Sequence, residues 1–267
     1  MTFKLKTINM DTLPSQELKS FLDTKYLEYN CEGFIPNDPV SIPHLFEKKE
    51  DIEISAFLTA TIAWGNRNSI LKNSNRLIKE MGFYPHEFII NATERDLLAF
   101  ENFVHRTFNG VDTIFFLQSL QNIYKNHSGL EAVFTEGYSN GQTIYGSLAH
   151  FRSIFLEPVH QKRSEKHIAN VAQKASCKRL NMFLRWMVRN DNRGVDFGLW
   201  RQIPASALML PLDVHTGNIS RKLGLLARKQ NDWQAVEEVT QNLRLFDAGD
   251  PVKYDFALFG LGVNNDF

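Results

Sequence analysis

The stretch from Asp51 to Trp64, DIEISAFLTATIAW, constrains the fold more than any other part of the chain, because it is apolar around most of a helical circumference. A helix with a single apolar stripe can lie at a surface, whereas one that is apolar nearly all round must be enclosed by other elements. The segment after it carries Ile70, Leu71, Leu77, Ile78 and Met81 at helical spacing. Gly65 is therefore expected to close the first helix, and Gly65-Asn66-Arg67-Asn68 to form the tight turn into the second. Strand signals are scarce along the whole sequence, so the enclosing elements are expected to be helices and the fold all-α.

The flanking segments supply those helices. Ser15 to Tyr29 reads as an amphipathic helix with Leu18, Phe21, Leu22 and Tyr26 on one face. The next stretch, FIPNDPVSIPHLF, is punctuated by Pro36, Pro39 and Pro43, which rule out a continuous helix. Asp112 to Asn126 reads as a helix capped by Asp112, Gly137 to Gly146 as a loop, and Ile144 to Phe155 as a short helix. Towards the end, Asp232 caps a helix through about Leu245. Asp250-Pro251 starts a last helix, Val252 to Leu261, with Pro at its first position and Gly262 just past its end.

Composition narrows the class of function. With 43% hydrophobic residues and 21 Phe in 267 residues the chain can bury a large core, as one domain or as two small ones sharing a cleft. Cys31 and Cys177 are the two cysteines, too few for a disulfide scaffold, a four-cysteine iron–sulfur cluster or a zinc site. The eight His show no H-x-x-x-H or similar ligand spacing, so neither a metal nor another cofactor is expected. There is no Gly-rich phosphate loop, internal repeat or low-complexity tract. The opening MTFKLKTINM has no apolar core of a signal segment and no run is long enough to cross a bilayer, so a reducing cytoplasm and no membrane partner are expected.

Thirty basic and thirty acidic residues cancel overall, but they are unevenly placed. From His160 to Arg193 nine Lys or Arg stand against Glu165 and Asp191, a net +7. Within that run, Ser176 to Arg189 reads as an amphipathic helix. Leu180, Phe183, Leu184, Met187 and Val188 form its apolar face, and Lys178, Arg185 and Arg189 form a cationic stripe on the other. Such a stripe is either a solvated surface or a contact for a polyanion; the absence of alternating acids favours the second.

The basic run leads to LMLPLDVHTGNISRKLGLL, residues 208–226, where a buried apolar segment ends at a polar corner holding Asp213 and His215. Asp213 or Thr216 can cap the helix that follows, and that helix carries Arg221, Lys222, Arg228 and Lys229 with no acid before Asp232. One reading makes Asp213 only a cap. The other makes it a carboxylate with work to do on a cationic surface.

The second reading gains from a resemblance. Pro211, Asp213, His215, Arg221, Leu223 and Gly224, in Pro-Leu-Asp-Val-His and the helix ending Arg-Lys-Leu-Gly-Leu, resemble the segment around the catalytic aspartate of the helix-hairpin-helix DNA glycosylases, the endonuclease III superfamily. The whole chain more closely resembles a bacterial family of conserved proteins without an assigned function, treated as a distant relative of those enzymes. The resemblance implies a single two-lobed helical unit over residues 1–267. One lobe, 51–155, would be like a six-helix barrel, and the other, 1–50 with 156–267, would carry the basic helix and Asp213. It implies duplex DNA as partner, with RNA left open, and excision of damaged bases as the activity. Asp213 would stabilise the sugar cation and Lys178 would be the candidate Schiff-base nucleophile.

Asn66 falls where those enzymes place an amide that wedges into the duplex; alternatively it is an ordinary turn residue. Arg67, Arg179, Arg185, Arg189, Arg221, Lys222 and His215 are the further expected contacts to nucleic acid. The stretch before Asp213, GLWRQIPASALMLPLD, lacks both the glycine-containing hairpin and its lysine. The candidate amine is therefore the more distant Lys178, and a non-catalytic nucleic-acid-binding or interaction protein on the same scaffold is the competing class.

Overall fold

A computed structural model describes residues 15–263; the opening MTFKLKTINM, read above for a signal segment, lies outside the described residues. Apart from one two-residue hairpin, β1 (Val104–His105) with β2 (Phe108–Asn109), the described elements are helices. In order they are α1 (Ser15–Tyr29), α2 (Lys49–Thr61), α3 (Arg67–Glu80), α4 (Pro85–Asn91), α5 (Glu94–Leu98), α6 (Gly110–Asn126), α7 (Leu130–Ser139), α8 (Ile144–Phe155), α9 (Lys178–Val188), α10 (Val214–Lys222), α11 (Trp233–Arg244) and α12 (Tyr254–Val263). The fold is all-α. Among the described residues no helix is long and apolar enough to cross a membrane.

Helix α2 is enclosed, as its composition requires: every residue from Asp51 to Thr61 is buried. It packs on α9, α4 and α3. Phe57 at its centre meets Phe116, Phe151, Phe155 and Phe183 with ring centroids 5.4–6.2 Å apart, at edge-on, tilted or offset angles that suit aromatic quadrupoles. Glu53, 2% exposed on the same helix, accepts hydrogen bonds from Tyr124 Oη and Trp200 Nε1, both at 2.7 Å. Those donors are what allow a carboxyl to sit in the core. The apolar side chains of all the longer helices join one continuous cluster, running from Leu18 to Leu261.

Several helix ends differ from the sequence expectation. Helix α2 stops at Thr61 rather than Trp64, and Gly65, with φ +98°, belongs to the loop beyond it rather than to its cap. Asn109, not Asp112, caps α6; Asp112 sits three residues in, where it completes a capping box with the Asn109 backbone. Gly137 and Gly146 are helical, in α7 and α8, and the connection between those helices is short. A Cβ on Gly137 would stand 2.6 Å from His150 Cβ and 2.9 Å from Ser147 Cα, so glycine here permits two helix backbones to touch. Gly262 likewise lies within α12, which runs to Val263, and its missing side chain makes room for His215 of α10.

The cationic stripe on α9 is real as a helical face, but it points inward. Arg185 is 4% exposed and Arg189 is fully buried. Arg189 reaches Asp191 at 2.7 Å, Asp196 at 2.9 Å and Asp250 at 2.8 Å, and also donates to Tyr26 Oη at 2.9 Å. Arg185 pairs with Asp196 and Asp255 and lies 4.2 Å from the Phe256 ring centroid. Burying a guanidinium requires neighbouring carboxylates, and these come from the following connection, from Asp250 and from α12. The expectation that Arg185 and Arg189 form an outward phosphate-binding stripe is corrected accordingly: both are structural ions of the core.

Candidate active site

The corner at Asp213 is built by a capping box. Asp213 Oδ1 accepts from Thr216 N at 3.0 Å, and Thr216 Oγ1 accepts from Asp213 N at 2.8 Å, closing the free end of α10. Asn231 holds the corner from outside, donating Nδ2 to Asp213 O at 3.0 Å while its Oδ1 accepts from Arg221 Nη2 at 2.6 Å. This leaves the second carboxylate oxygen, Oδ2, directed away from the cap. It stands 3.8 Å from Lys178 Nζ, an ion pair across which no direct hydrogen bond closes. The amine also rests 3.6 Å from Met182 Sδ one turn along α9.

Lys178 and Asp213 share a cavity of about 610 Å³, the size of a small-molecule site. Its apolar walls include Phe34, Trp64, Met182 and Phe259. Besides the pair it holds Asp38, Asp255, Arg67 and Arg185. Four parts of the fold therefore converge: the proline-punctuated segment after α1, the turn between α2 and α3, and the N-termini of α9 and α10, with α12 behind. Burial pushes the Asp255 carboxyl up to about 6, helped by nearby Asp213 and opposed by Arg185 and Lys178. Burial also raises Asp38 above the ordinary carboxylate range, against the Val40 N–H and the fields of Arg185, Arg67 and Lys178.

The other sequence-predicted residues divide. Arg67, at the start of α3, lines the cavity with its guanidinium 5.8 Å from the Phe259 centroid. Arg179 also lines it, but its guanidinium lies over Trp64 at 4.8 Å and donates to Thr61 O and His167 O, so it closes the C-terminal end of α2; burial lowers it to about 10. Asn66 is exposed and caps α3 through its side chain, which accepts from Ser69 N at 3.2 Å. His215 borders the cavity and also a second hollow with Asn218, Arg221 and Lys222. The Arg221 guanidinium is committed to Arg228 O at 2.8 Å, Lys229 O at 2.9 Å and Asn231, bracing the loop after α10, while Lys222 is exposed.

Asp38 and Asp255 were not singled out from the sequence. Asp38 sits in a segment that reads as a connection. Asp255 had one legible signal: a lone carboxylate in the otherwise apolar YDFALFG, where burial demands a cationic partner. Among the described residues no three His, Cys, Asp or Glu side chains gather so as to hold a metal ion. Cys31 and Cys177 are both free thiols, and burial raises Cys177 to about 12, which keeps it protonated and inert at neutral pH.

No curated protein and no solved structure matches the chain significantly. A family profile does match, over residues 38–264, which span Asp38, Lys178, Asp213 and Asp255. The chain belongs to that family, described as "Protein of unknown function (DUF2400)".

Proposed function

We propose that this protein excises damaged bases from duplex DNA and cleaves the resulting abasic sugar, with Lys178 as the amine nucleophile and Asp213 as the carboxylate that stabilises the sugar cation. The observation that carries this reading is the 3.8 Å approach of Lys178 Nζ to Asp213 Oδ2 in a cavity walled by Phe34, Trp64, Met182 and Phe259. A flipped base requires flat apolar walls, and its sugar requires a nucleophile on one side and negative charge near C1′ as the bond breaks. The capping box fixes Asp213 without using Oδ2, so the charge is pre-positioned. Attack of the amine on C1′ displaces the base and gives an iminium after ring opening. Such an adduct supports β-elimination of the 3′ phosphate. Arg67 and Lys222 supply positive charge around the cavity and the hollow beside it, and His215 borders both, where phosphates would run.

The test is single-turnover strand cleavage on duplexes carrying a lesion or an abasic site. Lys178→Gln is expected to lose cleavage by on the order of 10³-fold or more while DNA affinity falls about tenfold or less, since it removes one charge among several. Asp213→Asn, which keeps the cap, is expected to lose base release but not the fold. Binding of duplex DNA by wild-type protein without base release or cleavage would place it instead among non-catalytic nucleic-acid-binding proteins.

A further inference from the structure

The cavity holds three carboxyl groups, and they are not equivalent. Asp213 faces the Lys178 amine, and Asp255 is bound directly by the Arg185 guanidinium. Asp38 is different. It is 8% exposed, lines the same cavity, and its carboxyl receives one hydrogen bond among the described residues, from Val40 N to Oδ1 at 3.0 Å. Among those residues no cation touches it. That single backbone contact, made as Asp38 caps the short turn Pro39–Ser41, fixes the direction of the carboxyl and leaves Oδ2 without a donor among the described residues. Burial without a contacting cation favours the neutral form of a carboxyl, and that is the form able to give a proton.

We infer that Asp38 is the acid that protonates the departing base, an inference that rests on the excision reading above. The C1′–N bond breaks with its electron pair passing to the base nitrogen, and the Asp38 hydroxyl proton transfers to the base. The Lys178 ammonium first gives one proton to water, which frees its lone pair; its nitrogen then forms the new bond to C1′ and releases a second proton to water. Asp38 is left as a carboxylate in the fields of Arg67, Lys178 and Arg185, and recovers its proton from water before the next turnover. The chemistry is thereby divided among three side chains, with Lys178 bonding to carbon, Asp213 bearing on the sugar charge and Asp38 serving the leaving group.

The experiment compares two leaving groups in single-turnover base release: a damaged base that is neutral on the sugar and needs a proton to depart, and 7-methylguanine, which is cationic on the sugar and departs neutral without one. Asp38→Asn keeps the acceptor for Val40 N and with it the turn. It is expected to slow release of the neutral base by about 10²–10⁴-fold and of 7-methylguanine by less than about tenfold. Asp38→Glu, which restores an acid, is expected to recover most of the neutral-base rate. Equal losses on both bases would overturn the inference, since a group that merely shapes the cavity does not distinguish leaving groups. Wild-type protein that forms a borohydride-reducible adduct with a preformed abasic site but releases no base would also overturn it while sparing the lyase reading. Wild-type protein that forms no such adduct removes the parent reading itself.

Discussion

Asp213 uses its two carboxylate oxygens differently, so capping α10 and facing a cation are compatible in one side chain. Oδ1 closes α10 and Oδ2 faces Lys178, so capping supplies the orientation that chemistry at the corner would need. The arginines show the opposite lesson. Nothing within α9 marks Arg185 and Arg189 as buried, because their partners lie at Asp191, Asp196, Asp250 and Asp255, up to 70 residues away. His167 is a third case with a measurable consequence. Its ring packs against Trp64 and Phe108 and its Nε2 lies 3.3 Å from Asp112 Oδ2. Burial pushes the imidazole down from 6.5 to about 4 despite the pull of Asp112. The unfolded chain therefore binds a proton at His167 at a higher pH than the folded one does. Stability from this residue is intact above about pH 6.5 and is lost as pH falls towards 4. In urea titrations the wild type should lose about 2 kcal/mol more between pH 7 and pH 5 than His167→Gln, which cannot titrate; equal losses would show that His167 is not held neutral.

At the scale of elements, periodicity located most helices, and the failures cluster where glycine has a packing role. GYSNGQTIYG reads as a loop because its glycines look like turn residues, yet Gly137 and Gly146 lie in α7 and α8 where the two backbones approach. A sequence alone does not distinguish a glycine that frees φ from one that removes a side chain. The difference is testable at Gly137. In a loop or an exposed helix, alanine would be neutral or stabilising by up to about 1 kcal/mol. Against the Ser147 backbone it should instead destabilise by about 1–3 kcal/mol, read as a lowered thermal midpoint. The stripe on α9 follows the same logic. Offsets of seven and four do place Lys178, Arg185 and Arg189 on one face, but whether that face meets water or the interior depends on α12 and the connection after α9.

For the whole molecule, a single apolar cluster ties the enclosed helix α2 to α9 and the first described helix, α1, to the last, α12. The cavity opens where segments far apart in sequence converge, with Asp38, Lys178, Asp213 and Asp255 spread over more than two hundred residues. That is why only part of its lining was legible beforehand: Lys178 and Asp213 stood at helix starts with local signals, whereas Asp38 and Asp255 come to the cavity through burial beside residues distant in the chain. The central claim is that the Lys178 amine is a nucleophile rather than a surface cation. The most direct measurement is borohydride reduction of the full-length protein with abasic duplex DNA, followed by peptide mapping of the cross-linked residue. The account predicts one reduced adduct, on Lys178, absent from Lys178→Gln; an adduct on another lysine, or none from wild-type protein that binds the duplex, would contradict it.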